Sequence, residues 1–403
     1  MATHRIAVVG AGIIGLAIAR RLRELEPDAE LTVLEKEAAV AQHQTAHNSG
    51  VVHAGVYYPP GSLKATLCRR GMSLLKDYCA QRDIEYQECG KLVVARDESE
   101  LGRLAEIEAR AQANGVPGLR RLERSSMMAV EPHVRGVSAL HSPHTAIVDF
   151  QAVARVLASD LSGTDTELRL GFEVAAISRS GREVRVRSST GAELVVDRLI
   201  VCAGLHADRL ARLAGETPAP WIVPFRGEYY RLVAERRDLV RGLIYPVPNP
   251  VYPFLGVHFT RRIDGHVDIG PNAVLALARE GYRRSDFAAR DVWETLASQG
   301  FRRLARKHWR MGLRELHGSL SQRVFLAEAQ RFIPSLNARH VARAPAGVRA
   351  QAVDADGSLL DDFRIVDRGN LVFIRNAPSP AATSSLAIAE YVVERLRDGS
   401  GAG

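Results

Sequence analysis

A chain of 403 residues, 46% apolar and 25% charged, has the composition of a globular protein with room for two domains. No apolar run approaches 18 residues, which excludes a membrane-crossing helix, and four cysteines without C-x-x-C spacing argue against a zinc site or a disulfide framework. The net charge of +8 rests on arginines spread along the whole chain, with only five lysines, a weak footprint for nucleic acid, which is not expected as a partner.

MATHR runs straight into IAVVG with no separate apolar leader, so no signal peptide is read and a cytoplasmic location is expected. Ile6 to Val9 suits a buried parallel strand. Gly10, Gly12 and Gly15 follow in G-x-G-x-x-G spacing, and Ile14, Ala17, Ile18, Leu22 and Leu25 then fall near one helical face. A second apolar strand, LTVLEK, ends in Glu35, twenty residues beyond Gly15. Gly10 permits the tight turn, Gly12 lets a pyrophosphate approach the backbone, and Gly15 lets helix and strand pack closely. The helix N-terminus faces the phosphates, and Glu35 would accept hydrogen bonds from a ribose. Strand, helix, second strand and acid agree on a dinucleotide site, without choosing between NAD and FAD.

A nicotinamide enzyme usually continues with alternating strands and helices. This chain instead places HQTAHNSGVVHAGVYYPP directly after the second strand, a run with neither a period of 2 nor of 3.6. HQTAHNSGVVHAGVYYPPGSLKATLCRRG (43–71) resembles the signature of the L-2-hydroxyglutarate dehydrogenase/oxidase family, within the amino-acid-oxidase-like FAD superfamily. FLGVHFTRRIDGHVDIGPNAVLA (254–276) and RNAPSPAATSSLAIAEYV (375–392) are similar to further segments of the same family. The resemblance spans residues 5 to about 392. It implies FAD held by Gly10, Gly12, Ile14, Gly15, Glu35 and Lys36, and by Thr45, Asn48, Ser49 and Gly50 in the histidine-rich run. Val174, Ala203, Gly204 and Pro378, Ser379, Pro380 and Ala381 complete the implied cofactor set. His53 would reach the flavin face, whereas His43 and His47 either brace the loop or touch cofactor. Nothing in the spacing demands a covalent flavin, for which His43, His47, His53 or Cys68 would be the attachment points.

The expected fold is α/β, a Rossmann-like FAD-binding domain with a second, antiparallel-sheet substrate domain. Residues 1–85, 148–217 and 338–403 are assigned to the discontinuous FAD domain, and 86–147 and 218–337 to the substrate domain. GKLVVAR (90–96) reads as a strand, 98–114 and QAVARVLASDL as helices, and 167–178 and 183–189 as strand pairs. DRLIVCAGLHADRLARLAG (197–215) is a buried strand ending at Ala203 and Gly204, followed at once by a helix. NAPSPAATSS precedes a C-terminal helix over about 382–397 whose N-terminus would favour the negative charge of reduced flavin.

The substrate implied by the resemblance is a five-carbon 2-hydroxy diacid, oxidised at C2 by hydride transfer to flavin N5, with electrons passed on to quinone or oxygen. Removing the hydroxyl proton needs a base, and His53 and His258 are the candidates, since imidazole titrates near working pH. Two carboxylates need cationic or hydrogen-bonding anchors, for which Arg226 and Arg349, then Arg261, are proposed, with Tyr57, Tyr229 and Asn272 adding hydrogen bonds. No metal is expected. FRRLARKHWRMGL (301–313) reads as a basic amphipathic helix, Phe301, Leu304, Ala305 and Trp309 opposite Arg302, Arg303, Arg306, Lys307 and Arg310. Such a helix either docks at the inner face of the cell membrane or covers the substrate domain. Other readings are oxidation of an amino acid, a secondary amine or glycerol 3-phosphate on the same fold, and a basic flavoprotein that binds nucleic acid or senses redox state.

Overall fold

The computed structural model describes residues 4–249 and 255–400. Arg5–Val9 is the third-from-last strand of a six-stranded sheet, ordered Arg364–Asp367, Leu371–Asn376, Arg198–Val201, Arg5–Val9, Glu30–Leu34, Thr166–Arg169. All neighbours run parallel except the hairpin Arg364–Asp367/Leu371–Asn376. Because successive side chains leave opposite faces of a strand, Ile6 and Val8 pack on one side and Ala7 and Val9 on the other. The first side receives the helices Ile13–Leu25, Phe150–Ser162 and Ser385–Ser400. Leu16, Leu157 and Ile388 are buried there, each worth about 1.5–3 kcal/mol relative to exposure. The second side is covered by the antiparallel meander Val174–Ser180, Glu183–Ser188 and Glu193–Val196.

A nine-stranded sheet forms the other half, with Trp221–Leu232 and Val341–Val353 as its long pair. Val274–Leu275 pairs with Trp221–Leu232 at one edge, and the remaining order runs through Val267–Gly270, His258–Arg261, Leu243–Pro246, Lys91–Ala95, Ser138–Ser142 and Arg120–Glu123. The sheet is mixed rather than purely antiparallel, because Leu243–Pro246 lies parallel to Lys91–Ala95. The sequence puts the return to the first domain near 338. Val341–Val353 instead pairs with Trp221–Leu232 from end to end, so the chain leaves the large sheet only after residue 353. Tyr86–Glu88, read from sequence as substrate domain, belongs with Val51–Val52 and Ala146–Val148 in a small sheet beneath the histidine-rich run.

Helix Gln299–Leu320 differs from its expected wheel. It kinks at His308 (φ −122°, ψ 17°). Before the kink Leu304 is buried with Val223 and Val353, and Phe301 packs beside them. Beyond it Trp309, Leu313, Leu316 and Leu320 face solvent.

The two halves touch directly at the histidine-rich run. The Gly347 position leaves its would-be Cβ 2.5 Å from the His47 carbonyl oxygen. The Arg262 guanidinium donates to the Asn48 carbonyl at 2.5 Å, and the Tyr282 ring stacks on His47 with centroids 3.9 Å apart. Helix Leu63–Gln81 crosses the C-terminal turn equally closely, a Cβ at Gly71 lying 2.5 Å from the Thr383 carbonyl oxygen. Gly71→Ala forces that crossing apart, and overpacking of this kind costs about 1–3 kcal/mol. The expected result is a fall in thermal midpoint of several degrees, measured by circular dichroism on the purified protein.

Candidate active site

The site starts from the first turn after Arg5–Val9. Gly10 adopts φ +100°, and a Cβ there would stand 2.4 Å from the Cys202 carbonyl oxygen. A Cβ on Gly15 would stand 1.9 Å from the carbonyl oxygen of Gly10. Glycine is required at both positions, because strand, turn, helix and the neighbouring strand end come together there. Helix Ile13–Leu25 has no side-chain N-cap; Ile13 N–H donates to Thr45 Oγ1 at 3.1 Å. Its first turn borders open space, an electropositive helix end suited to an anion. Glu35 is buried, accepting from Ala11 N–H at 2.8 Å through one oxygen and from Glu37 N–H at 3.0 Å through the other.

From this turn a cavity of about 1220 Å³ extends to the large sheet. Gly10, Gly12, Ile14, Gly15, Glu35, Lys36, Thr45, Asn48, Ser49, Val174, Ala203, Gly204, Pro378, Ser379, Pro380 and Ala381 all line it. Gly50 does not. It turns the chain at φ +73°, accepting from Val148 N–H and donating to Asn48 Oδ1. Three buried polar atoms on lining residues lack partners in the protein: Tyr57 Oη, Arg375 Nε and Asn376 Oδ1. An orphaned helix end, a glycine-walled entrance and unsatisfied polar atoms in one elongated cavity fit FAD.

His43 and His47 both line the cavity. His43 Nε2 lies 2.9 Å from Glu37 Oε1. Glu37, His43 and Glu280 converge closely enough to hold a cation, but Lys36 pairs with both carboxylates, at 2.8 Å to Glu280. The group is an ion-pair network joining the two halves. Cys68 is buried off the cavity wall, donates to the His53 carbonyl, and is pushed up to about 12 by burial, so it is no nucleophile.

The far end of the cavity carries His53, Tyr57, Tyr58, Lys64, Tyr229, Tyr245, His258, Arg349 and Gln351. His53 Nε2 lies 3.3 Å from Ser379 Oγ, and its main chain is fixed by Thr383 and Cys68. His258 Nδ1 is 2.9 Å from the Gly256 carbonyl oxygen. A carbonyl can only accept, so Nδ1 carries the proton and Nε2 keeps its lone pair. Burial pushes His258 down to about 3, aided by the charges of Arg349 and Lys91. Burial, with the charges of Lys91 and Lys64, also holds His53 well below the ordinary imidazole range. Both rings are neutral at working pH.

Three expected substrate residues lie elsewhere. Gly227 and Tyr229 line the cavity, so strand alternation turns Arg226 and Glu228 to the opposite face. There Arg226 binds Glu228 and the Arg283 carbonyl. Arg261 stands three residues from His258 on the same strand and therefore also leaves by the other face. Asn272 spends its amide on Glu228, accepting from its N–H at 2.8 Å and donating to its carboxylate at 3.2 Å. Phe254, the first residue of that motif, lies outside the described residues. Lys64, Tyr58, Tyr245, Gln351 and Arg375 line the cavity unforeseen.

A dinucleotide cradle at one end of a cavity, with imidazoles and cations from a second sheet at the other, defines a two-domain flavin oxidoreductase. The chain belongs to the FAD dependent oxidoreductase family, whose model matches residues 5–395. It is 45% identical over 408 residues to the mitochondrial L-2-hydroxyglutarate dehydrogenase of Homo sapiens, covering 97% of this chain and 88% of that one. It is 44% identical over 399 residues to the L-2-hydroxyglutarate dehydrogenase of Salmonella houtenae, covering 98% and 93%. Among solved structures, the dithionite-reduced, FAD-bound L-alpha-glycerophosphate oxidase of Mycoplasma pneumoniae superposes with a TM-score of 0.77 at 23% identity, covering 98% of this chain and 95% of that one. Glycine oxidase from Geobacillus kaustophilus gives 0.70 at 18%, with the same coverage. These likenesses carry the fold.

Gly15→Ala places a methyl group inside the Gly10 turn. The purified variant is expected to hold FAD at least about tenfold more weakly, a loss of about 1.4 kcal/mol or more, read as flavin absorbance retained after desalting.

Proposed function

We propose that this enzyme oxidises L-2-hydroxyglutarate to 2-oxoglutarate. The observation that carries the reading is a pair of neutral imidazoles, His53 and His258, on one cavity wall with Arg349. Relatives at 44–45% identity named as L-2-hydroxyglutarate dehydrogenases support the substrate. FAD bound in the cavity supplies the hydride acceptor. His258 Nε2 is the proton acceptor for the substrate hydroxyl: its tautomer is fixed by the Gly256 carbonyl and its ring by tilted packing against Tyr245, centroids 4.1 Å apart. His53, held by Ser379, orients the hydroxyl toward that nitrogen. Arg349 binds a carboxylate, and Tyr57 Oη, buried without a protein partner, donates to the same ligand.

Anaerobic addition of L-2-hydroxyglutarate is expected to bleach the flavin, whereas D-2-hydroxyglutarate, amino acids and glycerol 3-phosphate leave it yellow. Bleaching by one of those others instead would overturn the substrate. His258→Asn is expected to keep FAD and lose roughly 10²–10⁴-fold in the rate of flavin reduction, the usual contribution of a positioned base. Unchanged reduction would remove His258 from this role.

We also infer that the enzyme docks on an anionic bilayer and delivers electrons to quinone there. Phe287, Trp293, Leu296, Trp309, Leu313, Leu316 and Leu320 are all solvent-exposed within 34 residues of chain, Trp293 at 73%. Trp309, Leu313, Leu316 and Leu320 recur at helical spacing on one face, and Arg302, Arg306, Lys307 and Arg310 accompany them. An exposed apolar stripe beside basic side chains matches an acyl boundary beneath acidic headgroups. Co-sedimentation with vesicles containing phosphatidylglycerol is expected for the native chain, falling with salt and lost in Trp309→Ser/Leu313→Ser/Leu316→Ser. Equal sedimentation of that variant would refute the surface.

A further inference from the structure

Lys91 opens the strand Lys91–Ala95, whose other members are all apolar. Its side chain is 1% exposed. Among the described residues it makes no ion pair and no hydrogen bond; its Nζ lies 4.4 Å from the Tyr245 ring centroid and 5.0 Å from that of Tyr57. Both rings line the substrate end of the cavity. Burying an ammonium without a counter-ion costs several kcal/mol, and two ring faces offset only part of that. The Tyr57 hydroxyl at the same wall is also buried and unpartnered. A cation and a donor left unsatisfied side by side are the complement of an anionic ligand.

On the reading that the substrate is a 2-hydroxy diacid, we propose that Lys91 is a specificity-determining residue, its uncompensated ammonium behind Tyr57 and Tyr245 supplying the charge that selects a dianion over a monoanion. In a wall of low dielectric this charge acts across several ångströms, so it favours the second carboxylate wherever that group lies against the two rings. Arg349 alone would accept a monocarboxylate as readily.

The surroundings make the charge separately readable. Burial lowers Lys91 to about 8. The titratable groups around it lie outside the interval between neutrality and pH 9: His53 and His258 are held down, Tyr57 and Tyr245 are held up, and Cys68 and Cys89 are pushed up to about 12 and 11. Both carboxylates of 2-oxoglutarate are ionised throughout that interval. Dianion affinity is therefore full below about pH 8 and falls as Lys91 loses its proton above it.

The test uses the FAD-loaded enzyme and follows the change in flavin absorbance as 2-oxoglutarate or the monoacid 2-oxobutyrate is added. For the native chain, 2-oxoglutarate affinity is expected to fall toward tenfold per pH unit above about pH 8, while 2-oxobutyrate affinity stays level. Lys91→Met is expected to weaken 2-oxoglutarate about 30-fold with 2-oxobutyrate changed less than about threefold, and Lys91→Arg to restore the preference. Parallel pH profiles for the two acids in the native enzyme would overturn the assignment, even where Lys91→Met fails to retain FAD. Equal loss of both ligands in a Lys91→Met protein that retains FAD would also overturn it. A native enzyme that binds 2-oxobutyrate but not 2-oxoglutarate would instead sink the diacid reading itself, and the role of Lys91 with it.

Discussion

The site depends on one close approach of backbone to backbone. Gly15 meets the carbonyl of Gly10, and Gly10 meets the carbonyl of Cys202, at distances that admit no Cβ. That contact sets the helix end at the mouth of the cavity and brings the end of Arg198–Val201 beside it. Ala203 and Gly204 then line the cavity beside the turn. Glu35 adds the second restraint, its carboxylate holding the turn through Ala11 and the following chain through Glu37. This end of the cavity is thus shaped largely by main-chain placement, which explains why small residues dominate its lining.

The substrate end is built on a different principle. Its side chains come from the loop after Val51–Val52, from helix Leu63–Gln81, and from strands of the large sheet. They are held by packing and by single hydrogen bonds to carbonyl groups, as with His258 on Gly256. Cations gather here, Lys64 paired with Asp361 and Lys91 without a carboxylate partner among the described residues, and their charges depress the basicity of the imidazoles nearby. Burial first, and these charges second, hold both imidazoles below their ordinary range.

Local sequence carried the cofactor half well. The glycine spacing, the acid after the second strand and the proline-serine turn before the last helix each have a mechanical meaning, and those segments line the cavity apart from Gly50. The substrate half was less legible because arginine is abundant and strand alternation decides which face each one takes. Arg226 and Tyr229 sit three residues apart on one strand, and only their parity separates an ion pair from a cavity wall. Asn272 lay in a matched motif yet serves Glu228. Lys91 did leave a signal, a lysine opening an otherwise apolar strand, but its burial came only from strands brought alongside it by the fold.

The seam between the halves carries a consequence of its own. Gly347 against His47, Arg262 on Asn48 and Tyr282 over His47 fasten the large sheet to the very loop that lines the cofactor cavity. These contacts tie the two halves together around the cavity. FAD and fold are then thermodynamically linked: cofactor binds the closed, native chain and not the unfolded one, and the free energy of binding adds to the stability of both domains together. Loss of flavin is registered across the whole molecule, as a lower melting point of the substrate sheet as much as of the Rossmann sheet.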